Sequence, residues 1–236
     1  MLFRSNLELV SFVEDYVAGW GLTSRRIPNP EGTKSNLLIS IGPDKPGGII
    51  LSGHTDVVPV DDQDWHTNPF DMVEKDGKFF GRGTSDMKAF SATILALLPE
   101  FLRQPLTTPV HVALSYDEEV GCLGVRPMIA DIVRTVARPR LAIIGEPTEM
   151  KVVNAHKGIR SFRTTITGRE AHSSQTHKGV NAVMVAAELI MHLSSLAEEM
   201  KQKGDPSGRF DPPYTTVQSS TIGGGTALDR KSTRLN

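Results

Sequence analysis

One cysteine, Cys122, is all that a chain of 236 residues contains, so no internal disulfide can brace it and a small cross-linked secreted scaffold is excluded. An excess of charge is missing too. With 26 Lys and Arg against 27 Asp and Glu, the chain lacks the long-range field of a nucleic-acid or anionic-membrane binder. No uncharged apolar stretch reaches the roughly 18 residues that span a bilayer. Repeats and low-complexity tracts are absent. In place of a secretory leader stands MLFRSNLELVSFVEDYVAGWG, where Leu7, Leu9, Val10, Phe12, Val13 and Val17 are interrupted by Glu8, Glu14 and Asp15. That is an amphipathic-helix pattern. These absences predict a cytoplasmic protein with no nucleic-acid or membrane partner, acting on a small molecule or peptide. Without a second cysteine or a nucleophile signature, Cys122 reads as a small buried hydrophobe.

What is present is an alternation of apolar runs and helical patterns. SNLLISI (35–41) and GGIILSG (47–53) read as strands, 87–102 as a helix, PVHVALSY (109–116) as a strand, 125–136 as a helix and LAIIGE (141–146) as a strand. Buried strands without polar alternation predict an α/β fold, a mainly parallel sheet with helices on both faces. Beyond His156 the character changes. IRSFRTTITG (159–168) alternates, 180–200 is helical in pattern, KQKGDPSGRFDPP (201–213) is a surface loop, and TTVQSSTIGG (215–224) alternates again. This predicts a second, smaller α+β unit, followed by DRKSTRLN, which offers no closing element.

Ligands of such sheets gather beyond the carboxyl ends of strands, and acid and imidazole groups stand there. In GHTDVVP (53–59), His54 and Asp56 are two apart, so an extended backbone points both to one face. An imidazole oriented by a carboxylate is a common metal ligand, although a His-x-Asp is also an ordinary strand-end turn. Asp86 in GRGTSDMKAF (81–90) precedes a helix, where it can cap the amino terminus, bridge two cations, or do both. That segment lacks the third glycine of a dinucleotide fingerprint. Glu118 and Glu119 in SYDEEVGC (115–122) read either as a solvated acidic loop or as two carboxylates facing opposite ways, one on metal and one on water. Glu146 in GEPT precedes a proline that keeps the backbone out of helix. Oxygen and nitrogen donors without thiolate suit zinc, cobalt or manganese.

GHTDVVP, GRGTSDMK, SYDEEVGC, GEPT and GREAHSS, in this order from about residue 5 to 228, resemble the dinuclear zinc amidohydrolase and exopeptidase superfamily. DVVPVDDQDWHTNPF, SYDEEVGC, AHKG (155–158) and TIGGGTAL look most like its acetylornithine deacetylase branch; desuccinylases, aminoacylases and dipeptidases are the sister readings. The resemblance implies a zinc-exopeptidase-like catalytic domain over 1–157, part of a lid and dimerisation domain over 158–228, and a non-native tail over 229–236. It implies two Zn²⁺ or Co²⁺ ions, with His54 and Glu146 on one, Glu119 on the other and Asp86 bridging. Asp56 would orient His54, and Glu118 would act as general base. His172 would stabilise the oxyanion across a homodimer. The substrate implied is a small N-acyl amino acid, N-acetyl-L-ornithine, cleaved in arginine biosynthesis. The family's final histidine ligand for the second ion has no counterpart here, so the chain reads as an inactive or impaired fragment, or as a non-catalytic metal-binding remnant.

Overall fold

The computed structural model describes residues 5–225 and the backbone of 234–235. The chain divides into two compact units, Met1–Lys151 and Val152–Asn236.

The first unit opens with α1 (Leu7–Ala18), which buries Val10, Val13 and Val17 along one stripe. Strands β1 (Ser24–Pro28), β2 (Ser35–Ile41) and β3 (Ile49–His54) follow, then a short hairpin of β4 (Val73–Lys75) and β5 (Lys78–Phe80). After a kinked turn at Thr84–Lys88 come α2 (Ala89–Ala96), α3 (Leu98–Leu102), β6 (Val110–Ser115), α4 (Val125–Thr135) and β7 (Leu141–Ile144). The main sheet runs β1-β2-β6-β3-β7. It is mixed: β6, β3 and β7 are parallel, whereas β1, β2 and β6 pair antiparallel.

Both faces of the sheet are covered, as the uninterrupted apolar runs require. Leu37, Ile39 and Ile41 of β2 and Val110, Val112 and Leu114 of β6 pack with the α1 valines, Ile94 and Leu98 on one side. Leu38 and Ala113, one step out of phase, pack with Met128 and Ile132 of α4 on the other. Registering β3 against β6 and β7 brings His54 opposite Ser115 and Ser52 opposite Ile144, so three strands end at one edge. The acids that follow those strands therefore start from neighbouring points.

The helix read over 87–102 is broken in two. Pro99 has no amide hydrogen and its ring excludes a continuous helix; the Leu95 carbonyl, four residues back, accepts the Tyr16 hydroxyl at 3.4 Å instead.

In the second unit, β8 (Ile166–Thr167) and α5 (Ala182–Lys203) are separated by a 3₁₀ turn at Ser173–Lys178. Asn181 caps α5 by accepting the Val183 and Met184 amides at 2.9 and 3.2 Å, and Gly204 ends it at φ 63°. Only Ile166 and Thr167 of the strand read over 159–168 are in a ladder, and 215–224 contains no strand. Within 215–224 only Gly224 makes a β-bridge, and the alternation of the segment is not taken up in a ladder among the described residues. Of the tail 229–236, residues 229–233 and 236 lie outside the described ones. Arg234–Leu235 form β9, antiparallel to β8, which supplies a closing element that the tail's composition did not suggest. Among the described residues no helix is long and apolar enough to cross a membrane.

Candidate metal centre

His54 is the last residue of β3 and is 2% exposed. Its position is fixed through its neighbour: the Thr55 amide donates to the Ser115 carbonyl at 2.8 Å, and the Thr55 hydroxyl donates to the same oxygen at 2.9 Å. Asn6 Nδ2 in turn donates to Thr55 Oγ1 and to the Ser35 carbonyl, both at 2.9 Å, and Asn6 Oδ1 accepts the Ser35 amide. Asn6 stands where a helix cap is expected, yet its side chain makes no capping bond to α1. It ties the helix start to two strands, a role that its place before an amphipathic run does not reveal.

The imidazole has partners on both nitrogens. Nδ1 donates to the Asp56 carbonyl oxygen at 3.0 Å and lies 3.4 Å from Asp56 Oδ1. Nε2 donates to Asp86 Oδ1 at 2.9 Å and has Glu146 Oε1 at 3.8 Å and Glu118 Oε2 at 4.0 Å. Burial disfavours the charged ring, but the hydrogen bonds and charges of Asp56 and Asp86 outweigh it and push the pKa up to about 9. An imidazolium N–H thus points into a ring of carboxylates, where a cation is favoured.

Asp56, 4% exposed, holds the acidic loop. Its Oδ1 accepts the Glu118 amide at 3.1 Å and its Oδ2 the Glu119 amide at 3.0 Å. Burial raises its pKa, but His54 and these two amides lower it more, and it stays below the usual carboxylate range. The loop is not extended, as the sequence suggested. Asp117 sits at φ 53°, and the Glu118 carbonyl accepts the Gly121 and Cys122 amides. Glu118 and Glu119 consequently turn to the same side and group with His54.

Asp86 lies inside the kinked turn, with φ −111° and ψ 101°, and makes no capping bond to α2. Its half-exposed side chain faces His54. Glu146 follows β7, whose pairing continues through the Gly145 amide to the Ser52 carbonyl at 3.1 Å. Burial, then the charge of Asp86, raises the pKa of both Glu119 and Glu146. Carboxylates placed close enough to disfavour their own ionisation need a cation.

Two donor groups result, each with ligand atoms within 4.8 Å of one another: His54, Asp86 and Glu146, and His54, Glu118 and Glu119. Ligands about 2 Å from a tetrahedral zinc stand about 3.3 Å apart, and the His54 separations of 2.9 to 4.0 Å bracket that value. The donors are one imidazole and four carboxylates, without thiolate, so the residues fit a borderline or hard divalent ion. The first group matches the set implied by the resemblance for one ion. The second places Glu118 beside Glu119.

Two further residues belong to this neighbourhood. Cys122 is exposed, not buried; it sits at φ 55° in the loop turn and its thiol donates to Glu118 Oε1 at 3.5 Å. Lys88 carries its ammonium out of solvent near the acids. Its position two residues after Asp86 was the available signal. His172 lies in the second unit and begins the 3₁₀ turn, where its Nδ1 accepts the Ser174 amide at 3.2 Å and lies 2.9 Å from the Ser174 hydroxyl. His156 is exposed, with Nδ1 on the Lys157 carbonyl at 3.0 Å.

Peptidase family M20/M25/M40 matches residues 50–220, a span holding every member of both donor groups. Acetylornithine deacetylase of Proteus mirabilis is 40% identical over 229 residues, 96% of this chain and 58% of that protein. The enzyme of the same name from Pasteurella multocida is 38% identical over equal shares. The chain thus spans 58% of the length of these curated relatives. A tripeptidase of Staphylococcus aureus shares the fold, with a TM-score of 0.61 at 17% identity, covering 95% of this chain and 58% of that one. With four ordered motifs of the first unit bringing His54, Asp86, Glu118, Glu119 and Glu146 together and the family matched over residues 50–220, the chain belongs to peptidase family M20/M25/M40.

Proposed function

We propose that this chain carries the metal centre of a hydrolase that cleaves the amide of N-acetyl-L-ornithine with water, giving L-ornithine and acetate, a cytoplasmic step of arginine biosynthesis. Membership of the family implies divalent metal ions. The observation that carries the reading is the pair of donor groups sharing His54. His54, Asp86 and Glu146 would hold one Zn²⁺ or Co²⁺, and Glu119 a second, with Asp86 between them. A bound ion would polarise the amide carbonyl and acidify water.

The chain's own groups do the rest. Asp56 fixes the His54 ring through the 3.0 Å bond to Nδ1 and the base through the Glu118 amide. Glu118 Oε would take the proton of the attacking water as the C–O bond forms and then return it to the amine nitrogen, after which the amide C–N bond breaks. His172 is proposed to meet the oxyanion across a homodimer, a role supported by the GREAHSS resemblance alone. The substrate is taken from the deacetylases that are 40% and 38% identical.

Titrating the chain with Co²⁺ should find one tight equivalent that His54→Ala loses; absence of binding would remove the metal reading. Initial rates on N-acetyl-L-ornithine, other N-acyl amino acids and dipeptides decide the substrate. A faster rate on any competitor would displace the deacetylase assignment. Glu118→Gln should keep the ion and lose turnover, and unchanged turnover would sink the base.

A further inference from the structure

A cavity of about 510 Å³ opens on the first unit where the turn after β1, the loop after β6 and the start of α4 meet, a size ordinary for small-molecule sites. None of the five donors of the metal centre lines it. Its walls are mostly apolar, with Pro28, Pro30, Leu123 and Pro127 among them. Tyr116 also lines it and is only 6% exposed. The tyrosine is held by its amide, which donates to Asn36 Oδ1 at 3.3 Å, and by its carbonyl, which accepts the Gly124 amide at 3.1 Å. An added Cβ at Gly124 would stand 2.9 Å from Tyr116 Cγ, so the ring is wedged in place. Its hydroxyl has no hydrogen-bond partner among the described residues. The side-chain atoms sealed from solvent without a partner are Arg82 Nε, Lys88 Nζ, Ser91 Oγ and His111 Nε2. The phenol oxygen is not one of them, so it keeps its access through the cavity. A largely buried polar group in that position is satisfied by water or by a ligand.

We propose that this cavity binds a small organic cation, a primary ammonium that donates to the Glu31 carboxylate and to the Tyr116 oxygen while its hydrocarbon body rests on the prolines and Leu123. The sign of the charge follows from the lining, which holds two carboxylates, Glu31 and Asp117, and no basic side chain. Asp117 is already paired with Lys34, so the charge left to a ligand is that of Glu31. One Glu31 oxygen, Oε2, accepts Asn29 Nδ2 at 2.9 Å, and Asn29 is itself fixed by accepting the Thr33 and Lys34 amides at 2.9 Å each. The turn is therefore ordered before any ligand arrives, which lowers the cost of binding. An anion finds no donor at the helix end: of the first turn of α4 only Pro127 lines the cavity, and proline has no N–H. An ammonium has three N–H donors, enough for both oxygens and one water.

The test titrates the full metal-free chain with cyclohexylammonium and follows backbone amide resonances, with cyclohexanol and cyclohexanecarboxylate as neutral and anionic probes of the same shape. The ammonium should shift Glu31, Tyr116, Asp117 and Leu123 saturably, with a Kd on the order of 1 to 10 mM. Cyclohexanol should bind more weakly and the carboxylate should not saturate. Glu31→Gln, at an exposed position, should weaken the ammonium about threefold. Tyr116→Phe, which deletes only the oxygen facing the cavity, should weaken it about fivefold; a melting curve like that of wild type shows that its fold is kept, and Glu31→Gln carries the test if it is not. Shifts centred on His54, Asp86 and Glu146 would place the cation among the metal-centre acids and overturn the proposal. So would equal affinity for the carboxylate probe, an unchanged Kd in Glu31→Gln, or no saturable shift at all.

Discussion

Nε2 of His54 and Oδ1 of Asp86 are 2.9 Å apart although the residues are 32 positions apart in sequence. The bond joins the end of β3 to a kinked turn, and it occupies the ring nitrogen that a metal would take. Asp86→Ala should therefore separate binding from folding. Co²⁺ affinity should fall by at least about 100-fold, while the metal-free melting temperature changes by no more than about 2 °C, since the half-exposed carboxylate is screened by solvent. A large loss of stability without metal would show that Asp86 is a structural anchor.

Asp56 presents the opposite case. Its buried carboxylate accepts two amides of the Glu118–Glu119 loop, charge-assisted bonds that water cannot replace at a 4% exposed site. Asp56→Ala should cost about 3 kcal/mol of unfolding free energy in urea. Asp56→Asn, which retains one acceptor oxygen, should cost less. Equal losses in both variants would mean that the two loop amides do not set the stability.

A similar argument applies to Asn6, at 2% exposure. Three bonds from its amide reach Ser35 and Thr55, so Asn6→Ala leaves a buried carbonyl and amide of Ser35 without partners. About 2 to 4 kcal/mol should be lost. Asn6→Asp keeps the Ser35 amide acceptor and loses both donors, so it should also destabilise the chain. Amide hydrogen exchange at Ser35 should accelerate in Asn6→Ala and remain slow in Asn6→Asp.

The residues that were legible are those whose chemistry and position agreed. His54, Glu118, Glu119 and Glu146 follow apolar strands, and the register of β3 with β6 and β7 gathers them. What was not legible depends on partners far away in sequence. SRRIP of β1 is charged and mostly exposed, as edge strands often are, and only its ladder with β2 makes it a strand. The β4–β5 hairpin carries an Asp76-Gly77 turn with both residues at positive φ, a signal within reach of sequence reading. The opposite failure is 215–224, whose alternation is in no ladder among the described residues. At the site, the Asp117 turn at φ 53° set Glu118 and Glu119 on one side, which no period-two argument anticipates. The sheet's mixed order has the same cause: apolar runs show that strands are buried, not which way a neighbour runs.

His111 on β6 gives the chain a pH response remote from the acids. It is 5% exposed, its Nδ1 lies 2.8 Å from the Ser40 hydroxyl, and its Nε2 has no partner among the described residues. Burial lowers its pKa from 6.5, against the smaller opposing pull of Asp44. With the folded value below the unfolded one, the unfolded chain binds more protons in that interval. This contribution is intact above pH 6.5 and is lost as pH falls through 6.5 toward the folded value. The raised pKa values of His54, Glu119 and Glu146 act in the opposite direction, so the readout is the difference between chains: between pH 7.5 and 5 the melting temperature of wild type should fall relative to that of His111→Gln. An unchanged slope in the variant would assign the response to other groups.

Gly145 and Phe90 form the last constraint on the site, because Gly145 immediately precedes Glu146. A Cβ at Gly145 would stand 2.0 Å from Cγ of the Phe90 ring and 2.1 Å from Cδ1, and that ring is itself packed on the core side of the sheet. Alanine can enter only if the ring or the strand end moves. Gly145→Ala should cost about 1 to 3 kcal/mol and weaken Co²⁺ binding by displacing Glu146. Phe90→Ala removes the obstacle and carries its own packing loss. In the double variant the alanine at 145 should therefore add little, giving a coupling energy of about 1 kcal/mol or more in a double-mutant cycle. Recovery of Co²⁺ affinity in the double variant relative to Gly145→Ala would locate the effect at the Glu146 ligand. Additive losses would mean that the strand end relaxes without the ring, and that Gly145 is there for the backbone alone.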